Sequence, residues 1–141
     1  PNHLHKTTKN IKLLSITNTK FTQIKTINNI LKLNTFNLIY NHLILHHNPP
    51  PIITTIYKQL LNTLHPNNIT IIQIPTYLKN QKFNVTKYLT KTTPTIKINT
   101  LPQHKIFHII QQQNYITLKI QKYTNLRTIN NISHTFIIQK Q

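Results

Sequence analysis

The chain contains no glycine in its 141 residues, and this limits every tight turn it can make. A positive φ is sterically easy only for glycine, and among the remaining residues asparagine tolerates the left-handed region best. Turns are therefore expected at asparagine, and the pairs Asn28-Asn29, Asn67-Asn68 and Asn130-Asn131 do lie between apolar segments. Codon bias accounts for the abundance of asparagine, but not for that placement.

Glycine is not missing alone. Ala, Asp, Glu, Met, Cys and Trp are also absent, every codon for them contains guanine, and only Val85 and Arg127 strictly require one. A coding strand so poor in guanine is typical of small organellar genomes, which encode respiratory subunits and, in some lineages, soluble ribosomal proteins. The expected location is the mitochondrial matrix, as an organelle-encoded product.

Seventeen Lys and Arg residues stand against no Asp or Glu, a formal net charge of +17. No lysine can be neutralised by a carboxylate side chain of its own chain, and the usual partners for such a field are phosphate backbones or anionic lipid headgroups. A spanning helix needs about 20 apolar residues in a row. None occurs, since even the stretch 38–45 is interrupted by Asn41 and His42, so no membrane span is expected. The opening residues Pro1 to Lys6 read as neither a signal peptide nor a transit peptide. Hydrophobic content of 38% is lean for a globular domain, so part of the chain is expected to order only against a partner.

The missing residue types also exclude chemistry. Without Cys there are no disulfides, thiolate metal sites or cysteine nucleophiles. Without carboxylates there is no paired-carboxylate hydrolysis, no acidic triad member and no carboxylate-held magnesium. Acid-base chemistry by His and Lys survives, but no spacing singles out such a set, and the chain is expected not to be an enzyme. Nine histidines include His3-x-His5, His46-His47 and the pair His104 and His108. Metal-bound histidine leans on carboxylate or carbonyl groups behind it, so no metal, no cofactor and no small-molecule substrate are expected.

Along the chain, a weak amphipathic helix is expected at 21–33. Pro49-Pro50-Pro51 marks a boundary. The apolar residues that follow it, Ile53, Ile56, Tyr57, Leu60, Leu61 and Leu64, fall at helical spacing and predict a helix over 52–64. Strands are predicted at 69–74, 95–99 continuing through 105–110, 115–123 and 135–138, and helices at 79–93 and 125–132. The order from residue 69 onward is then βαββαβ. The expected fold class is α+β: a ferredoxin-like βαββαβ C-terminal domain at 66–141, behind a basic, irregular or helical N-terminal extension at 1–65.

The C-terminal half resembles the small-subunit ribosomal protein family conventionally numbered ten. The likeness rests on Ile74-Pro75-Thr76-Tyr77-Leu78-Lys79-Asn80-Gln81, on Leu101-Pro102 ahead of basic and aromatic residues, on the segment Tyr115 to Tyr123, and on the closing strand Phe136 to Lys140. The chain departs from that family in its short Gln111-Asn114 turn and its short second helix. The resemblance implies a structural constituent of the mitochondrial ribosome small subunit, with rRNA and neighbouring ribosomal proteins as partners. Alternatives are another mitoribosomal protein of either subunit, or a non-catalytic, lineage-specific subunit of a respiratory complex.

Candidate RNA-binding residues are Lys97, Lys105, Lys119, Lys122 and Arg127, with His104 and His108 as hydrogen-bond donors beside them. Lysine acts on phosphate as a mobile point charge, whereas the arginine fork grips it with two parallel bonds. Tyr77, Phe107, Tyr115 and Tyr123 are aromatic enough to stack on bases, although core packing competes for all four.

Overall fold

The computed structural model describes residues 17–20, 22–80, 82–90, 98–124 and 131–141. Its first regular element is a six-residue 3-10 turn, Ile27–Lys32, entered through Thr26, whose backbone N–H and hydroxyl both reach the Asn29 side chain. This replaces the amphipathic helix expected at 21–33. The residues expected to be extension then supply a strand, β1 (Phe36–His42).

The triple proline acts as the sequence indicates. Pro49 caps helix α1 (Pro50–Asn62), and two prolines fill the first turn, where a missing N–H costs nothing. Thr54 and Thr55 return their hydroxyls to the Pro50 and Pro51 carbonyls. Ile53, Tyr57 and Leu61 form the buried stripe. Thr63 closes the helix by donating its hydroxyl to the Leu60 carbonyl, and the chain turns directly into β2 (Leu64–Leu78). The junction expected at 65/66 thus lies near the start of β2, and the core draws on residues from both sides of it.

After β2 come a short helix α2 (Val85–Leu89), helix α3 (Gln103–Gln112), and strands β3 (Tyr115–Thr124) and β4 (Asn131–Lys140). The stretch 105–110, expected to be extended, is helical. Pro102 is its N-cap, and Ile106, Ile109 and Ile110 are buried at helical spacing. Of the strand expected at 95–99, residues 95–97 lie outside the described residues, and Ile98 and Asn99 belong to no strand. Of the helix expected at 125–132, residues 125–130 lie outside the description, and Asn131 and Ile132 belong to β4.

The sheet has the order β1-β2-β4-β3, with β1 parallel to β2 and the other pairs antiparallel. A helix-connected parallel pair extended by an antiparallel hairpin is a mixed α/β sheet, so the ferredoxin-like βαββαβ assignment is incorrect. The error arises because helix α3 separates β2 from β3 where a strand was expected.

One face of the sheet carries the core. Ile39, Ile72, Ile74, Phe136 and Ile138 meet Ile53, Tyr57 and Leu61 of α1 and Ile106, Ile109 and Ile110 of α3. Alternation sends the neighbouring residues to the other face: Leu38 and Tyr40, then Ile69, Ile71 and Gln73, then Ser133, Thr135 and Ile137, then Lys119, Gln121 and Tyr123. None of these is buried. Among the described residues positive φ occurs at Asn67, Asn80 and Asn114, as a chain without glycine demands, and also at Leu43.

Candidate functional site

In open α/β sheets, ligands bind beyond the carboxyl ends of the parallel strands. Here that end carries a cleft of about 300 Å³ lined by Leu43, His46, Gln73, Pro75, Ile98, Tyr123, Asn131 and Ser133. The size is at the lower end of the range for small-ligand sites, on the order of 300–1,000 Å³. Gln73 of β2 is in register with His42 of β1, and Pro75 with Ser133 of β4, which in turn pairs with Tyr123 of β3. The non-consecutive strand order is what gathers these residues.

Two features mark the wall beside β1. Leu43 leaves the strand with φ 52, a costly conformation for a bulky side chain and one that concentrates at ligand sites. The next residue, Ile44, caps the 3-10 turn Leu45–His47, which places the His46 and His47 rings 4.0 Å apart. The His46 carbonyl accepts the Asn99 N–H at 2.8 Å, and the Leu101 N–H donates to the Pro75 carbonyl at 3.0 Å, so the loop containing Ile98 is pinned across the cleft.

His46 is only 8% exposed, and its Nδ1 has no hydrogen-bond partner. Asn131 Oδ1 is likewise buried and unpartnered. Burial, and secondarily the neighbouring His47, lowers the His46 pKa below its ordinary 6.5, so the ring is neutral at pH 7. Beyond the cleft wall, His134 bonds the Thr76 hydroxyl at 2.7 Å; burial first and Lys122 second hold it below its ordinary value too. No third metal-binding side chain joins His46 and His47 among the described residues.

Of the candidate residues named from sequence, His104, Lys105 and His108 are exposed on α3, and Lys119 and Lys122 are exposed on β3. None of these lines the cleft. Lys97 and Arg127 lie outside the described residues. Tyr123, named for its ring, does line the cleft, whereas Phe107 packs edge-on against Phe136 and Tyr115 is a core residue whose hydroxyl donates to the Leu61 carbonyl. Among the described residues no helix is long and apolar enough to cross a membrane.

No protein-family model matches the sequence, and no curated protein matches it. Solved structures do. The magnesium protoporphyrin IX methyltransferase ChlM of Synechocystis PCC 6803, with bound SAH, superposes with a TM-score of 0.63 at 14% identity, over 96% of this chain and 57% of that one. TehB of Haemophilus influenzae gives 0.64 at 11%, over 99% and 47%. An S-adenosylmethionine-dependent methyltransferase of Clostridium acetobutylicum ATCC 824 gives 0.62 at 11%, over 97% and 70%. The fold is the Rossmann-like fold of S-adenosylmethionine (SAM)-dependent methyltransferases. The chain spans about half the length of ChlM and TehB.

This Rossmann-like likeness overturns the ribosomal resemblance, which rested on an element order the structure does not have. The expected structural role in the small subunit, the rRNA and ribosomal-protein partners, the exclusion of a small-molecule substrate and the expectation of a non-enzyme fall with it. The alternative ribosomal and respiratory-subunit assignments have no support either.

The cleft does not fit SAM itself. That molecule carries a sulfonium and an ammonium, and its ribose diol needs acceptors, while Rossmann-like nucleotide sites use glycines for close backbone approach and an acidic side chain on the ribose. This chain has no glycine, no carboxylate and a net charge of +17. The polar groups of its cleft are an imidazole, two amides and two hydroxyls.

Proposed function

We propose that the chain is the acceptor-side half of a SAM-dependent methyltransferase: it shapes the cleft that holds the group to be methylated, and the cofactor is held elsewhere. One observation carries the reading. In a chain that superposes along nearly its whole length on such enzymes, the carboxyl ends of the parallel strands open into a cleft lined in part by His46, whose buried ring Nδ1 has no hydrogen-bond partner.

A neutral buried imidazole accepts or donates one hydrogen bond at Nδ1 according to its tautomer. With the lone pair there, His46 takes the proton of a hydroxyl or amine lying in the cleft. Gln73, Asn131, Ser133 and Tyr123 supply neutral hydrogen bonds to orient the rest of that molecule. The set suits a small neutral or anionic acceptor, since a cation would meet the positive field of the whole chain.

The test is transfer of a radiolabelled methyl group from SAM by the protein in its native assembly. His46→Gln is expected to lower the rate on the order of 10²- to 10⁴-fold, the usual contribution of a positioned acid-base group, with the circular dichroism spectrum unchanged. Absence of any labelling, or an unaltered rate in the variant, would overturn the reading.

A further inference from the structure

We propose that the uncovered face of the sheet, together with the free edge of β1, is the docking surface of a carboxylate-rich polypeptide that continues the sheet beyond β1. The proposal rests on the methyltransferase-fold reading only in taking the chain as part of a larger α/β unit; its other support is independent.

The first support is the face itself. A sheet containing a helix-connected parallel pair is normally covered on both sides, yet among the described residues α1 and α3 cover one side only. On the other, Leu38 and Tyr40 are 57% and 65% exposed, and Ile116 and Tyr123 are exposed beside the half-buried Ile69, Ile71 and Ile137. The apolar surface runs across three strands, from Leu38 and Tyr40 of β1 through Ile69 and Ile71 of β2 to Ile137 of β4, and Lys119 stands opposite Ile137 on β3.

The second support is a contrast between the two edges. Exposed edge strands are normally blunted with lysine, proline or irregularity. The β3 edge follows that rule, with Lys119, Lys122 and a register shift near Lys119. β1, sequence Phe-Asn-Leu-Ile-Tyr-Asn-His, has neither lysine nor proline; its one register shift lies at its start, between Phe36 and Leu38, and from Leu38 to His42 its outer edge is regular and pairs with no other strand among the described residues. An unguarded apolar edge beside an uncovered apolar face is the shape of a surface built to be continued.

Charge decides what continues it. A second copy would bring another +17 against the first and repel it. A partner bearing Asp and Glu supplies the counter-charges this chain lacks, and complementary fields speed and orient docking. Such a partner covering the face would also roof the cleft, because Gln73, Ser133 and Tyr123 belong to that same face.

The absence of acidic side chains makes the test clean. A carbodiimide condenses lysine with a carboxylate into an amide, and none of these 141 residues offers an Asp or Glu side chain for such a link. In the assembly purified from its source, Lys119, the described lysine in register on the open face, is expected to cross-link to carboxylates of one polypeptide at fixed positions. Lys105, on the helix across the core, is expected to remain free. Leu38→Asn with Tyr40→Asn, which removes the apolar contacts without changing the charge, should abolish the Lys119 cross-link while the circular dichroism of the isolated chain stays as it was, both side chains being exposed. Equal cross-linking at Lys105 and Lys119, a homodimer in sedimentation, or an assembly dissolved by nuclease would each overturn the proposal. Calorimetry with SAM separates the two readings: a Lys119-linked assembly that fails to bind SAM sustains the docking surface and sinks the methyltransferase.

Discussion

The Tyr57 hydroxyl is fully buried and has no hydrogen-bond partner. Burial, aided by Tyr115 nearby, drives its phenol far above the ordinary value of 10. Tyr115, by contrast, donates to the Leu61 carbonyl, with its own pKa pushed up to about 12 by burial. Leaving a buried polar group unpaired costs free energy that deletion recovers, so Tyr57→Phe is expected to raise stability by about 1 kcal/mol, read as a higher urea midpoint at unchanged slope. A lower midpoint would mean that the hydroxyl is bonded. Two other residues set the pH dependence. His46 and His134 have folded-state pKa values below 6.5, so the unfolded chain binds their protons more readily. Their contribution is fully present above about pH 6.5 and is lost as pH falls from there toward the lowered folded values. Replacing both by Gln should therefore flatten the decline in urea midpoint between neutral and mildly acidic pH; an unchanged decline would show that neither imidazole is held neutral.

Helix α3 shows why half of the fold was legible in sequence and half was not. Lys105-Ile106-Phe107-His108-Ile109-Ile110 satisfies a strand by composition, since isoleucine and phenylalanine favour strands, and a helix by the spacing of Ile106, Ile109 and Ile110. A chain denied Ala, Glu and Met must build helices from isoleucine, so propensity misleads and burial decides. Helix α1 was readable because prolines fix its start whatever the codon bias, whereas β1 was hidden in an apolar stretch broken by Asn41 and His42. The site was not legible at all as a unit: residues 43, 46, 73, 123, 131 and 133 meet only through the order β1-β2-β4-β3, and no local spacing announces that. If α3 packs as described, Ile106→Ala should cost about 2–5 kcal/mol as a core truncation, while His104→Ala on the exposed face should stay within about 0.5 kcal/mol. Thermal unfolding distinguishes the helix from a strand here, since in the alternating pattern residues 104 and 106 share one face and would respond alike.

At the scale of the whole molecule, the net charge of +17 has no internal relief. Lysines that are fixed contact neutral acceptors: Lys58 Nζ donates to Gln112 Oε1 at 2.9 Å, and Lys140 Nζ to the Leu64 carbonyl at 2.7 Å. Long-range electrostatics in the isolated chain is therefore repulsion alone, and folding concentrates it. Salt shortens its reach, from about 10 Å at 0.1 M to about 3 Å at 1 M. The melting temperature of the isolated chain should accordingly rise with sodium chloride over that range in calorimetry. Association with a carboxylate-rich partner should weaken over the same range, because there salt screens attraction. Opposite signs for the two dependences are the signature of a chain whose counter-charges lie on another molecule. A melting temperature that fell with salt would reveal attractive charge pairs within the chain, which its composition cannot supply.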